Sequence, residues 1–234
     1  MKIRMRSLRF FILLFAASSL LFQFPSEAFA ATPSDITVTD TEIDGVNGFT
    51  ELENAINVAT FTIGSSTYAI VIAHDDSDDI GIEDNGVQII DISDPTNIIA
   101  TDAETDGENG FTALAGAVDV DTFTIGSSTY AIVASKVDNG VQIIDISDPE
   151  NIVATDAETD EANGFDELNG ARGVETFIIN SVVYAIVTGY DDDGVQMFDL
   201  GNCASSDCVY PEVANTASNA SNGNNYSRQS PYTH

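Results

Sequence analysis

Basic side chains are nearly missing from this chain. Seven Lys and Arg stand against 38 Asp and Glu in 234 residues, for a formal charge of −31. Lys2, Arg4, Arg6 and Arg9 sit at the very start, leaving Lys136, Arg172 and Arg228 for everything after. A field of that sign repels phosphate backbones and anionic lipid surfaces, so nucleic acid and membrane are excluded as partners while cations are favoured. The plainer alternative is that the acid excess keeps an exported protein hydrated. Histidine is scarce too: with only His74 and His234, a Ser or Cys nucleophile has no base in a recognisable arrangement. Carboxylate pairs could serve glycosidase chemistry, but no spacing singles one out. The chain is therefore read as not an enzyme. Cysteine is limited to Cys203 and Cys208, a pair close enough in sequence to predict a local disulfide in an exported chain.

Long apolar runs are also missing, apart from residues 10–22. Those 13 residues fall short of the roughly 20 that a membrane-spanning helix needs. Preceded by the four bases and followed by Ala28-Phe29-Ala30, they predict a secretory signal peptide over residues 1–30. No Cys lies near the cleavage position, so there is no lipoprotein signal. The expected location is secreted, extracellular or at the cell surface, with the periplasm as a variant. Beyond the leader, residues 31–200 hold the repeats described next and residues 201–213 the stapled end. Residues 214–234, rich in Asn and Ser, are expected to be disordered. Asn219 and Asn225 match the glycosylation acceptor pattern.

What the chain does have is repetition. DNGVQIIDISDPTNI at 84–98 returns as DNGVQIIDISDPENI at 138–152, and a worn copy, DDGVQMFDL, follows at 192–200. Val87, Val141 and Val195 recur at a spacing of 54, which marks a repeat architecture. Each repeat reads as four short β segments, a to d. Segment a falls at 55–63, 117–125 and 171–179; b at 68–73, 130–134 and 184–188; c at 87–92, 141–146 and 195–200. Segment d falls at 98–103 and opens at 152–155. Gly and Ser between β-branched runs predict an a–b hairpin, and Ser-Asp-Pro predicts the c–d turn. Segments b and c are apolar on both faces, as in sheets buried between neighbouring sheets.

No d segment follows the third c. A segment of that kind opens the chain instead, since ITVTDTEIDG at 36–45 matches IIATDAETDG at 98–107. The expected fold is all-β and propeller-like, with three four-stranded blades per chain. The N-terminal strand at 36–44 completes the last blade, in its own chain or in a partner's. Propellers close with about four to eight blades, so a homodimer forming a six-bladed ring is expected, with an open three-blade fragment as the alternative.

The motif DNGVQIIDISDP, led by tyrosine-headed YAIV, resembles the LVIVD-repeat family of β-propeller proteins. The likeness covers residues 36–200. It implies a propeller at or outside the cell surface that binds rather than catalyses, and it carries over no active site. Two departures stand out: the third repeat lacks the Ser-Asp-Pro turn, and the blades are few.

Strand alternation puts the a–b and c–d turns on one side and the b–c and d–a loops on the other, and the second side carries most of the acids. Its distinctive element is an insert: Val87 follows Tyr68 by 19 residues, whereas Val141 follows Tyr130 by 11. The insert, HDDSDDIGIED at 74–84, holds Asp75, Asp76, Asp78, Asp79, Glu83 and Asp84 beside His74. Crowded carboxylates repel unless a hard cation gathers them, so calcium is the candidate cofactor, against a solvated loop as the plain alternative. A second candidate set is Asp40, Glu42 and Asp44, repeated as Asp102, Glu104 and Asp106 and again at Asp156, Glu158 and Asp160. Alternate positions of an extended segment share one side. The spacing is reminiscent of an EF-hand loop, but flanking helices are missing. Asp191, Asp192 and Asp193 join His74 on the expected binding face. Asn-Gly-Phe at 47–49, 109–111 and 163–165 reads as a turn with an aromatic anchor, and Asp91, Asp145 and Asp199 as turn braces.

The function expected from all this is a secreted or surface-bound acidic module that binds a protein or glycan ligand, with calcium as its candidate aid. A structural surface-layer module without a ligand is the alternative. A carboxylate-based extracellular hydrolase comes third.

Overall fold

The computed structural model describes residues 37–74 and 85–202, and all but Thr37 of them fall within one compact unit that begins at Val38. The leader, the acidic insert at 75–84 and the Cys203–Cys208 pair lie outside the described residues. Among the described residues every element is a β-strand, so none is a helix that could cross a membrane.

Blade 1 runs β1 (Ala55–Ile63), β2 (Ser66–Ala73), β3 (Gly86–Asp91) and β4 (Ile99–Thr105). Blade 2 runs β5 (Ala117–Ile125), β6 (Ser128–Ser135), β7 (Gly140–Asp145) and β8 (Val153–Thr159). Blade 3 runs β9 (Ala171–Ile179), β10 (Val182–Gly189) and β11 (Gly194–Asn202). In each blade, strands adjacent in sequence pair antiparallel, in chain order. The all-β, propeller-like reading therefore holds, and the three a segments have the strand bounds expected of them.

Local chemistry explains the hairpins. Gly64 and Gly126 have φ of 63° and 64°, which opens the two-residue a–b turns of blades 1 and 2. Blade 3 uses Asn180 and Ser181 instead, both at positive φ (52° and 65°), the pattern of a type I′ turn. A Phe–Tyr pair clasps each hairpin across the strands. Phe61 on Tyr68, Phe123 on Tyr130 and Phe177 on Tyr184 stack with ring centroids 5.5, 5.4 and 5.8 Å apart.

Blades pack face to face. The front of blade 1 (Ile70, Ile72, Val87, Ile89) meets the back of blade 2 (Val120, Ala131, Val133, Ile144), and all eight are at most 6% exposed. The front of blade 2 (Ile132, Ala134, Val141) meets Val174, Ala185 and Val187 of blade 3 in the same way. The inner strands line up β1, β5, β9. Asp119 and Asp121 of β5 accept hydrogen bonds from the Val174 and Thr176 amides of β9 at 2.9 and 2.7 Å.

One expectation is corrected. Within the chain, the segment opening at residue 36 does not complete the last blade. Its described residues, from 37 on, form no strand, and blade 3 has three strands among the described residues. The segment lies against blade 1 instead: Asp40 Oδ2 accepts the Ile98 amide at 2.8 Å, as Asp102 Oδ2 accepts the Ile152 amide at 2.7 Å. The resemblance of 36–45 to a d strand is real, but the partner it finds is the blade that follows it. A d strand has two sets of contacts, to its own c strand and to the next blade, and this copy uses the second.

Candidate functional site

The acid-bearing side is built from d–a loops that repeat almost atom for atom. Asn47, Asn109 and Asn163 take positive φ (55°, 48° and 51°) ahead of Gly48, Gly110 and Gly164 near 90° (89°, 91° and 89°). This sharp turn drops Phe49 and Phe111 into the core at 1% and 0% exposure, and half-buries Phe165 against Phe198. The turn-and-anchor reading is thus how these loops are built.

The Asp-x-Glu-x-Asp carboxylates serve these loops, each with a separate task. Glu42, Glu104 and Glu158 accept from the side-chain amides of Asn47, Asn109 and Asn163 at 3.1, 2.9 and 2.9 Å. Asp44, Asp106 and Asp160 accept the Leu52, Leu114 and Leu168 amides at 3.1, 3.0 and 3.1 Å. Asp40 and Asp102 reach the c–d turn of the next blade, as described above. The first, third and fifth residues of the motif therefore face three different partners. Among the described residues no group of three or more His, Cys, Asp or Glu is gathered closely enough to hold a metal ion.

The b–c loops lock neighbouring loops together. Asp138 Oδ2 accepts the Ala115 amide at 2.7 Å, and Asp192 Oδ2 the Asn169 amide at 2.8 Å. Asn85 of blade 1 accepts from Gly116 of blade 2 at 3.2 Å, and Asn139 of blade 2 from Gly170 of blade 3 at 2.8 Å. Burial raises the carboxyl of Asp138 above its ordinary value of 3.8; the nearby Asp106 charge adds to this and the Ala115 hydrogen bond works against it. Of the residues expected on the binding face, Asp191 and Asp193 are exposed, Asp192 is half-buried and His74 is buried at 5%. Glu51, at the twelfth position of the first motif, is likewise buried at 6% and accepts from the Thr105 hydroxyl. The cationic Arg172 lies over the Tyr190 ring, 4.4 Å from its centroid, at the edge of this side.

On the opposite side, Asp91 and Asp145 brace their turns through the Ser93 and Ser147 amides at 2.8 and 2.9 Å, as expected, whereas Asp199 accepts the Gly201 amide at 2.8 Å across an irregularity within β11, which runs on to Asn202. Asp94 caps the following turn, where the Thr96 hydroxyl and amide hold its carboxyl below 3.8.

Gln88 and Gln142 escaped the sequence reading. Each is fully buried (0% and 1%), accepts a d–a loop amide (Thr50 or Thr112, both 3.0 Å) and donates to a d-strand carbonyl (Asp102 or Asp156, both 2.7 Å). A polar residue repeated inside an apolar strand is the signal that could have found them, since a buried amide must be satisfied.

The LVIVD repeat model matches residues 80–101 and 127–154, which take in β3, β6, β7 and the openings of β4 and β8. No curated protein matches the chain. Among solved structures it is similar to the Bombyx mori GH32 β-fructofuranosidase BmSUC1, at 11% identity and a TM-score of 0.35 over 63% of this chain and 36% of that one. A point mutant of the same enzyme in complex with sucrose gives 15% identity and a TM-score of 0.32, over 56% and 29%. The chain thus spans about a third of the length of those enzymes. The expectation that the chain is not an enzyme is withdrawn on this finding, because those structural neighbours are glycoside hydrolases; at such identities no activity is carried over to this chain. The LVIVD repeat itself is present twice, in blades 1 and 2, and blade 3 continues the same pattern of strands.

Proposed function

We propose that this chain is an exported binding module whose acid-bearing loop side takes up a protein or glycan partner. One observation carries the reading: the loops on that side are fixed by the same internal hydrogen bonds blade after blade, while Glu108, Glu161, Asp166, Asp191 and Asp193 stay exposed on them. Exposed carboxylates carried on loops that are already fixed suit recognition, because little loop ordering is left to oppose binding. It also steers cationic partners. Calcium enters through the insert at 75–84, on the crowding of its acids in sequence.

The test is a retention assay on immobilised chain, with glycan arrays and basic extracellular proteins as probes. A variant with Glu108, Glu161 and Asp166 changed to Gln, Gln and Asn should lose about tenfold in affinity and most of its salt dependence. Equal binding by that variant would remove the loop side from the proposal. Calorimetry with calcium tests the cation separately: no heat and no rise in melting temperature at millimolar levels would end that part. The alternative, a structural module without a ligand, draws support from the motif carboxylates being engaged within the fold, and an array without hits would favour it.

A further inference from the structure

The stack of blades has two unfinished ends, and they match. At the front of blade 3, Val195 and Met197 are 59% and 56% exposed, whereas Val87 and Ile89, the same positions in blade 1, are at 0%. At the back of blade 1, Val58 is 55% exposed, whereas its counterparts Val120 and Val174 are each at 6%. Blade 3 lacks a d strand among its described residues. The segment before blade 1 is a d-like stretch lying against the following blade and pairing with no c strand.

We infer that two copies of this chain join head to tail, β11 of each pairing with residues 38–44 of the other, to close a six-bladed ring. The interface is one the chain already makes twice within itself. In blades 1 and 2 the register pairs Val87 with Glu104 and Val141 with Glu158, so Val195 pairs with Glu42 of the second copy. Gln196, which holds the Asp166 amide at 3.3 Å as Gln142 holds that of Thr112, gains the carbonyl of Asp40 in place of that of Asp156. Asp193 stands at the position of Asn85 and Asn139, whose carbonyls accept from Gly116 and Gly170. Its acceptor would meet the amide of Asn54, which shares their positive φ (55° against 67° and 63°).

Whole copies of a three-blade stack reach the range of about four to eight blades in which propellers close only as a pair. A heterologous contact that closes in this way covers the free edge of β11 and gives a closed pair in place of an open filament. The inference stands independently of what the loop side binds.

The test combines mass with cross-linking. Chains carrying Glu42→Cys and chains carrying Val195→Cys, each with Cys203→Ser and Cys208→Ser, are mixed and oxidised. The mixture should yield a covalent two-chain species that neither variant gives alone, since directly opposed residues of an antiparallel pair lie within disulfide reach. Light scattering on the unsubstituted chain should give twice the chain mass at micromolar concentration, and Val195→Asp, at an exposed position, should bring it to one chain with cooperative unfolding retained. A one-chain mass for the unsubstituted protein, a doubly substituted chain that closes on itself, or a ladder beyond two chains would each overturn the inference.

Discussion

Blade 2 and blade 3 share a strand pattern and differ in what covers them. Blade 2 lies between two neighbours, and its Val141, Gln142 and Ile132 are 2% exposed or less. The equivalent positions of blade 3 are Val195 at 59%, with Gln196 and Ile186 half-buried. A residue's energetic weight in a repeat protein is thus set by the next repeat as much as by its own sheet.

The largest effect that would break this comparison is in the apolar layer. Ile89→Ala should cost ~2–5 kcal/mol in a denaturant titration, while Met197→Ala, its counterpart on the uncovered front, should stay within ~0.5 kcal/mol in dilute single chains. A Met197 cost that grows with protein concentration would show a second chain lying over that face.

Next comes the buried amide. Gln142→Leu strands the Thr112 amide and the Asp156 carbonyl, each at ~1–3 kcal/mol, whereas Gln196→Leu should lose markedly less. Comparison of the two denaturation midpoints decides; equal losses would mean that Gln196 is as fully engaged as Gln142.

A subtler effect is in pH. Because burial raises the carboxyl of Asp138, the folded chain holds that proton more tightly than the unfolded one. Its contribution is fully present below 3.8 and is lost as pH rises through the raised value. Asp138→Asn keeps an acceptor for Ala115 and should flatten that slope in melts taken across the acid range. The smallest effect is at Asp94, whose lowered carboxyl works with the opposite sign: its contribution is present above 3.8 and lost on acidification. Asp94 is fully exposed, so Asp94→Ala should barely move the midpoint, and a large shift would point to a role beyond its turn.

Much of the fold could be read from the sequence. The 54-residue spacing, the Gly-Ser turns and the alternation in 55–63, 117–125 and 171–179 placed the hairpins, because hairpin contacts are local and turn chemistry is explicit. The d strand of blade 1 runs past the expected 98–103 to Thr105, and the one that opens at 152–155 runs to Thr159, because the acidic ends still pair with Gly86 and Gly140. The position of residues 37–45 could not be read, because a sequence match states what a segment is like and not which of two neighbours it will choose. The Asp-x-Glu-x-Asp sets looked like ligands for a cation because acids at alternate positions share a side in an extended chain. In the structure the three carboxylates of a set accept from separate groups: Asp102 from the next blade's Ile152 amide, Glu104 from the Asn109 side chain and Asp106 from the Leu114 amide.

The pairing order of the sheets carries a kinetic consequence. Because each strand bonds to the one just before it, almost all backbone pairing closes short loops, and the insert before Asn85 spans the longest of them. Loop closure of that kind incurs little chain entropy, so folding can start at any of the three Phe–Tyr clasped hairpins and spread to the others.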